Sequence, residues 1–145
     1  MQNSITLYRP IGPGQLTAII RAHWREFPPR LAHQPFFFPL LDKQYAQRVA
    51  RQWNLSNSGA GFVTQFKVQA DFLDQYEPKR IGGPSNWEYR IPAHALVDFN
   101  QHILGQIQVV DAYFSQQPRM AEQLAFPPRH PIQQVAAMQA HTRLT

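Results

Sequence analysis

The chain has no cysteine and few acids: nine Asp and Glu stand against 14 Lys and Arg in 145 residues. Without cysteine there is no disulfide, no thiolate nucleophile and no cysteine-ligated zinc. The six histidines, at 23, 33, 94, 102, 130 and 141, do not form the i, i+4 pairs of a helical metal site, so no metal is expected. No run of about 18 apolar residues occurs, so no membrane-spanning helix is expected. The opening residues, Met1 to Arg9, lack a basic flank followed by an apolar stretch. No classical secretion signal is expected on that pattern, and a cytoplasmic location is the expectation, with delivery as an effector the alternative. No helix-turn-helix pattern, RNA-binding signature or basic tract is present.

What is present suits a folded domain. Hydrophobic residues make up 43% of the chain, enough for a globular core. The length fits one domain. Positive charge is concentrated early. Residues 1–54 hold seven basic residues and two acids, a balance of +5, whereas residues 55–145 hold seven of each and balance to zero. A basic N-terminal part suits a phosphate-bearing or acidic partner. Equally, Arg21, Arg25, Arg48 and Arg51 read as the solvated faces of two helices.

Ile5, Leu7 and Arg9 alternate with Thr6 and Tyr8, which predicts a first strand ended by Pro10-Ile11-Gly12-Pro13-Gly14. A helix follows, with Leu16, Ile19, Ile20, His23 and Phe27 on one face, and Pro28-Pro29 stops it. After a loop from Arg30 to Pro35, Phe36-Phe37-Phe38 reads as a short buried strand closed by Pro39. Asp42 is an N-cap for a second helix whose apolar face is Tyr45, Ala46, Val49 and Trp53. Asn54 to Gly61 reads as a flexible loop. The longest strand is predicted over 61–68, with Phe62, Thr64, Phe66 and Val68 on one face. A helical turn over 71–76 and a glycine-rich loop at 82–86 lead to a strand over 87–91. A helix near 93–102 and a strand over 106–110, opened by Gly105, complete the pattern.

The expected fold class is α+β, with a mixed or antiparallel split sheet and two to three flanking helices. The expected domain covers residues 1–112. Residues 113–145 are a Gln- and Pro-rich C-terminal extension with a weak helical pattern at Ile132, Val135 and Met138, taken to pack on the domain or on a protein partner.

Two charged residues stand out. Arg9 continues the inward face of its strand, where a guanidinium is costly unless it meets an anion. A phosphate or carboxylate gripped by its fork is one partner; an internal salt bridge or a snorkelling arginine is the alternative. Glu88, between Trp87 and Tyr89, is a candidate catalytic carboxylate. Its alternative is an exposed ion pair with Arg90 on the same strand face, opposite Trp87, Tyr89 and Ile91. Phe36-Phe37-Phe38 and Tyr45 are core aromatics, or rings that line a flat pocket.

In order, Leu7-Tyr8-Arg9, Phe36-Phe37-Phe38-Pro39 with Tyr45-Ala46, Phe62-Val63-Thr64-Gln65-Phe66, and Glu88-Tyr89-Arg90-Ile91-Pro92-Ala93 with Leu96 and Phe99-Asn100 resemble the ADP-ribosyltransferase-like fold. The likeness runs over residues 5–110. It is nearest to small bacterial toxin-type domains and to small proteins labelled with ADP-ribosylation and crystallin J1. The resemblance implies an NAD-dependent ADP-ribosyltransferase or NAD glycohydrolase, with NAD as co-substrate and a protein or nucleic-acid acceptor. By resemblance Arg9 grips NAD, Phe38 and Tyr45 are the aromatics beside the nicotinamide, and Glu88 is the catalytic acid. The pattern also departs from the family. Phe-Phe-Phe-Pro stands where one branch has Ser-Thr-Ser, and Tyr45 has no second tyrosine at the spacing of the other branch. Position 86 is Asn rather than the second acid of arginine-modifying members, which argues against arginine as acceptor. The competing expectation is a catalytically silent member of the fold, a binding module for an acidic or phosphate-bearing partner.

Overall fold

The computed structural model describes residues 3–115, and they form a small α+β domain with antiparallel pairing throughout. Its central sheet has the order β1-β3-β7, from β1 (Ser4–Ile11), β3 (Ala60–Gln69) and β7 (Ile103–Phe114). The register pairs Leu7 with Phe66, Arg9 with Thr64 and Ile11 with Phe62, so these six side chains share one face. Two-residue strands make the rest: β2 (Phe36–Phe37) pairs with β6 (Ile91–Pro92), and β4 (Lys79–Arg80) with β5 (Trp87–Glu88). Leu40 joins the two parts through single bridges to Tyr8 and to Glu88.

That junction is where the sheet splits. Tyr8 and Leu40 exchange both backbone hydrogen bonds, at 2.8 and 2.7 Å. Two residues on, Pro10 faces the same edge with no N–H to donate, so the ladder cannot continue there. The chain before Leu40 is therefore free to diverge from β1, and the gap becomes a cleft.

The core is largely aromatic. Phe27, Phe37, Phe66, Phe72 and Phe99 stack in series, with ring centroids 4.8 Å apart for Phe27–Phe66, 5.1 Å for Phe37–Phe99 and 6.0 Å for Phe72–Phe99. Asn100 closes this core from the side. Its Oδ1 accepts from the Phe27 N–H and its Nδ2 donates to the Phe27 carbonyl, both at 3.0 Å. One side chain thus satisfies both backbone groups of a residue that has no secondary-structure partner.

Several elements differ from the sequence pattern. Helix α1 (Pro13–Arg21) ends six residues before Phe27, because His23 and Trp24 adopt left-handed backbone, with φ of 58° and 64°. The turn lets Trp24 leave the helical stripe and become fully buried, its N–H on Ile19 and its carbonyl accepting from Ile107. Helix α2 (Lys43–Val49) starts as expected at Asp42, which accepts from the Gln44 N–H. It then runs on through a π-helical turn (Ala50–Asn54) and α3 (Leu55–Ser58), where a flexible loop from Asn54 was expected; Gly59, at φ 77°, ends it. The π-turn is wider than an α-turn, so it breaks the spacing that would bury Trp53 beside Ala46 and Ala50. Trp53 is instead 67% exposed.

The predicted strand 87–91 is two strands with different partners. Alternation therefore fails there: Glu88 and Tyr89 are both buried while Arg90 is exposed, so Glu88 and Arg90 are not the exposed same-face pair that spacing suggested. The helical turn near 71–76 is α4 (Ala70–Leu73), and α5 (Leu96–Gln101) follows a 3-10 turn at Ala93–Ala95. Strand β7 reaches Phe114, past the boundary expected at 112. Residues 116–145 of the expected extension, including Ile132, Val135 and Met138, lie outside the described residues. Among the described residues no helix is long and apolar enough to cross a membrane.

Candidate functional site

The cleft at the sheet split has a volume of about 430 Å³ and is lined by Arg9, Phe38, Tyr45 and Glu88 together, with Gln15, Arg30 and Trp53 among its other walls. The size is that of a small-ligand site. All four residues singled out from sequence thus reach one cavity, three of them from β1, α2 and β5 and Phe38 from the segment just after β2.

Arg9 forms its floor. Only 7% of the residue is exposed, and the register fixes its direction by placing it between Leu7 and Ile11. Its backbone carbonyl accepts a 2.8 Å hydrogen bond from Oγ1 of buried Thr64. A register shift in the β3–β7 pairing falls between Val63 and Thr64, beside this contact. Such bulges re-aim side chains next to functional sites. The guanidinium lies over the ring of buried Phe37, 4.5 Å from its centroid. Its polar contacts are thin: Nη1 donates to the Phe38 carbonyl at 3.3 Å, Nη2 donates to Gln15 Oε1 at 3.4 Å, and Nε has no partner. Among the described residues no carboxylate pairs with it. Burial pushes its pKa down from 12.5 to about 9, and the nearby positive charge of Arg30 adds to the effect. A buried cation without an anion is an unmet electrostatic demand.

Glu88 stands on the far side of Leu40. It is 8% exposed, and burial raises its carboxyl pKa above the usual 4.5 although Arg90 opposes the shift. Arg90 Nε is 3.7 Å from Glu88 Oε2, a loose contact. Arg9 and Glu88 form no ion pair with each other, so both charges face the cleft uncancelled by one another.

The aromatic triplet divides by role. Phe37 is fully buried core, Phe36 is exposed, and Phe38 is half-buried in the cleft wall. Tyr45, on the first turns of α2, has its phenol pKa raised by burial and by the negative charge of Glu88. Arg48 lies 5.8 Å from the Tyr45 ring centroid.

Three lining residues had no sequence signal as site residues. Arg30 reads only as a charge at the start of a loop, Trp53 as the apolar face of the second helix, and Gln15 carries no signal at all. Trp53 becomes legible only through the π-turn, which no spacing rule anticipates. Among the described residues no group of three or more His, Asp or Glu is placed to hold a metal ion. Comparison with protein-family models, with curated proteins and with solved structures finds no match to this chain.

Proposed function

We propose that this cleft binds NAD and that the chain is ADP-ribosyltransferase-like, passing ADP-ribose to an acceptor or to water. The observation that supports the reading is the convergence of a buried, unpaired guanidinium and a buried carboxylate in one cleft with two aromatic rings.

The chemistry suits those groups. The bond between ribose C1 and the nicotinamide nitrogen breaks, and its electron pair leaves with nicotinamide, cancelling the ring's positive charge. The ribose is left as an oxocarbenium-like centre. Ionised Glu88 stabilises that developing charge and accepts a hydrogen bond from a ribose hydroxyl. The acceptor's nucleophilic atom then bonds to C1 and loses its proton to solvent. With water as acceptor the products are ADP-ribose, nicotinamide and a proton. Arg9 binds the phosphate part, and Phe38 and Tyr45 offer faces to the nicotinamide ring.

The test is release of free nicotinamide from NAD by the wild type and by Glu88→Gln. The variant keeps shape but loses the negative charge, and turnover is expected to fall by about a hundredfold or more while NAD still binds. Undiminished turnover in Glu88→Gln would remove Glu88 from the chemistry.

A second reading is favoured by the Arg90 contact, which engages the Glu88 carboxylate. Here the domain is a catalytically silent binding module whose Arg9 holds an acidic or phosphate-bearing partner. Ligand binding without any nicotinamide release, whichever acceptor is supplied, selects this reading.

A further inference from the structure

Arg30 sits on the loop that follows the buried Phe27, and its placement is built rather than incidental. Asn100 fixes the backbone of Phe27 at the start of the loop. At the other end, Arg30 Nε donates a 2.9 Å hydrogen bond to the Phe36 carbonyl. That bond uses the inner edge of the guanidinium. The two terminal amino groups have no protein acceptor among the described residues, and the side chain lines the same cleft as Arg9.

Both arginines therefore line one space, and among the described residues no carboxylate forms an ion pair with either of them. Their arrangement is unfavourable as it stands, since burial lowers the pKa of both and the charge of Arg30 adds to the cost of Arg9's. Gln15 and Gln34, which also line the cleft, are neutral and cannot cancel it. An anion between the two guanidinia would convert the repulsion into two charge-assisted contacts.

We infer that Arg30 and Arg9 together form an anion subsite for a doubly charged phosphate group, with Arg30 as its adjustable outer ligand and Arg9 as its fixed floor. The inference rests on the NAD reading only for the identity of the group, which there is the pyrophosphate. The two-cation subsite itself stands on the geometry.

The subsite is tested by calorimetric titration of the full chain with ADP-ribose, inorganic pyrophosphate and adenosine, in the wild type, Arg30→Ala and Arg30→Lys. Arg30→Ala is expected to weaken ADP-ribose and pyrophosphate about tenfold or more and to leave any adenosine binding unchanged. Arg30→Lys, which keeps the charge and loses the fork, is expected to fall between. The wild-type affinity for pyrophosphate is expected to drop with added salt. Unaltered thermal midpoints in both variants establish that the fold is intact, as expected for a loop side chain.

In the titrations three results overturn the inference: no binding of either phosphate probe by the wild type, an equal loss for adenosine and ADP-ribose, or no loss in Arg30→Ala. The enzymatic reading fails separately. If pyrophosphate binds in an Arg30-dependent way but no nicotinamide is ever released from NAD, the subsite stands and the transferase falls. If nicotinamide is released with the same KM in Arg30→Ala, the transferase stands and the subsite falls.

Discussion

Replacing Arg9 by methionine is expected to stabilise the ligand-free protein while abolishing its binding of phosphate ligands. The displacement of the Arg9 pKa from 12.5 to about 9 corresponds to a penalty on the order of 5 kcal/mol for carrying the charge in that position. Two features offset it. The contact with the Phe37 face, 4.5 Å from the ring centroid, is a desolvated cation–π interaction of about 2 kcal/mol. The two long hydrogen bonds, to the Phe38 carbonyl and Gln15, add about 1 kcal/mol together. The remainder is a net cost of about 2 kcal/mol. Methionine is unbranched, apolar and adaptable enough to lie over Phe37 in the same space. Arg9→Met should therefore gain about 2 kcal/mol by chemical denaturation, or about 5 °C in Tm.

The pH dependence gives a second handle with a definite sign. Burial lowers the folded-state pKa below the unfolded value, so in the alkaline range the unfolded chain binds more protons than the fold. Stability contributed through Arg9 then rises with pH across that window, and the penalty is fully present below it. The advantage of Arg9→Met over the wild type should shrink as pH climbs above 9. In the same samples ADP-ribose at ~100 times its dissociation constant should raise wild-type stability by about 2.7 kcal/mol and leave the variant unmoved. A variant less stable than wild type, or one that still responds to ADP-ribose, would refute the account of Arg9 as an uncompensated ligand-binding charge.

Three further outcomes are expected. Gly61→Ala should cost about 1–3 kcal/mol and weaken ligand binding, because a Cβ there would lie 2.3 Å from the Ala50 carbonyl oxygen and push on the π-turn that carries Trp53 and Asn54; Gly14→Ala, with nothing within 4 Å, should be neutral or slightly stabilising by the same denaturation measurement. Asn100→Ala should lose about 1–3 kcal/mol by leaving both backbone groups of Phe27 without partners, and should lower ADP-ribose affinity as the Arg30 loop loosens, readable by denaturation and titration in parallel. NAD cleavage should decline on acidification with an apparent pKa above 4.5, since burial raises the Glu88 carboxyl and only its ionised form serves; a rate flat through the acidic range would exclude that role.

Much of the framework was legible because it obeys simple periods. The inward phase of Arg9, the cap at Asp42 and the shared face of Phe62, Thr64 and Phe66 all follow from alternation or capping, and the pairing register agrees with them. What was not legible depends on tertiary context. Left-handed backbone at two successive residues, His23 and Trp24, was not legible, because histidine is only mildly enriched there and a bulky tryptophan is not, and it persists because Ile19 and Ile107 hold Trp24 in place. The polar run Leu55-Ser56-Asn57-Ser58 reads as a loop by composition, yet it is helix because the preceding turns pack against β3 over Gly61. Two-residue strands such as β5 and β6 are too short for alternation to state a face. This is why the burial of Glu88 was not readable, although its presence in the site was suggested by motif order.

These features bear on why the domain tolerates a charge that costs it stability. A proline at β1's edge, a register shift between Val63 and Thr64 and a single-bridge junction at Leu40 interrupt the regular ladder around Arg9, and the ring of core Phe37 lies under its guanidinium. A sheet built for stability alone would continue the ladder past Tyr8, or set an apolar residue between Leu7 and Ile11. A buried charge of this kind is costly until a partner meets it, and on the proposed reading an anionic ligand would be that partner. On that reading the same guanidinium that lowers the stability of the fold would favour an anion over any neutral ligand. Arg9→Met separates the two contributions, because it removes the cost and the preference together.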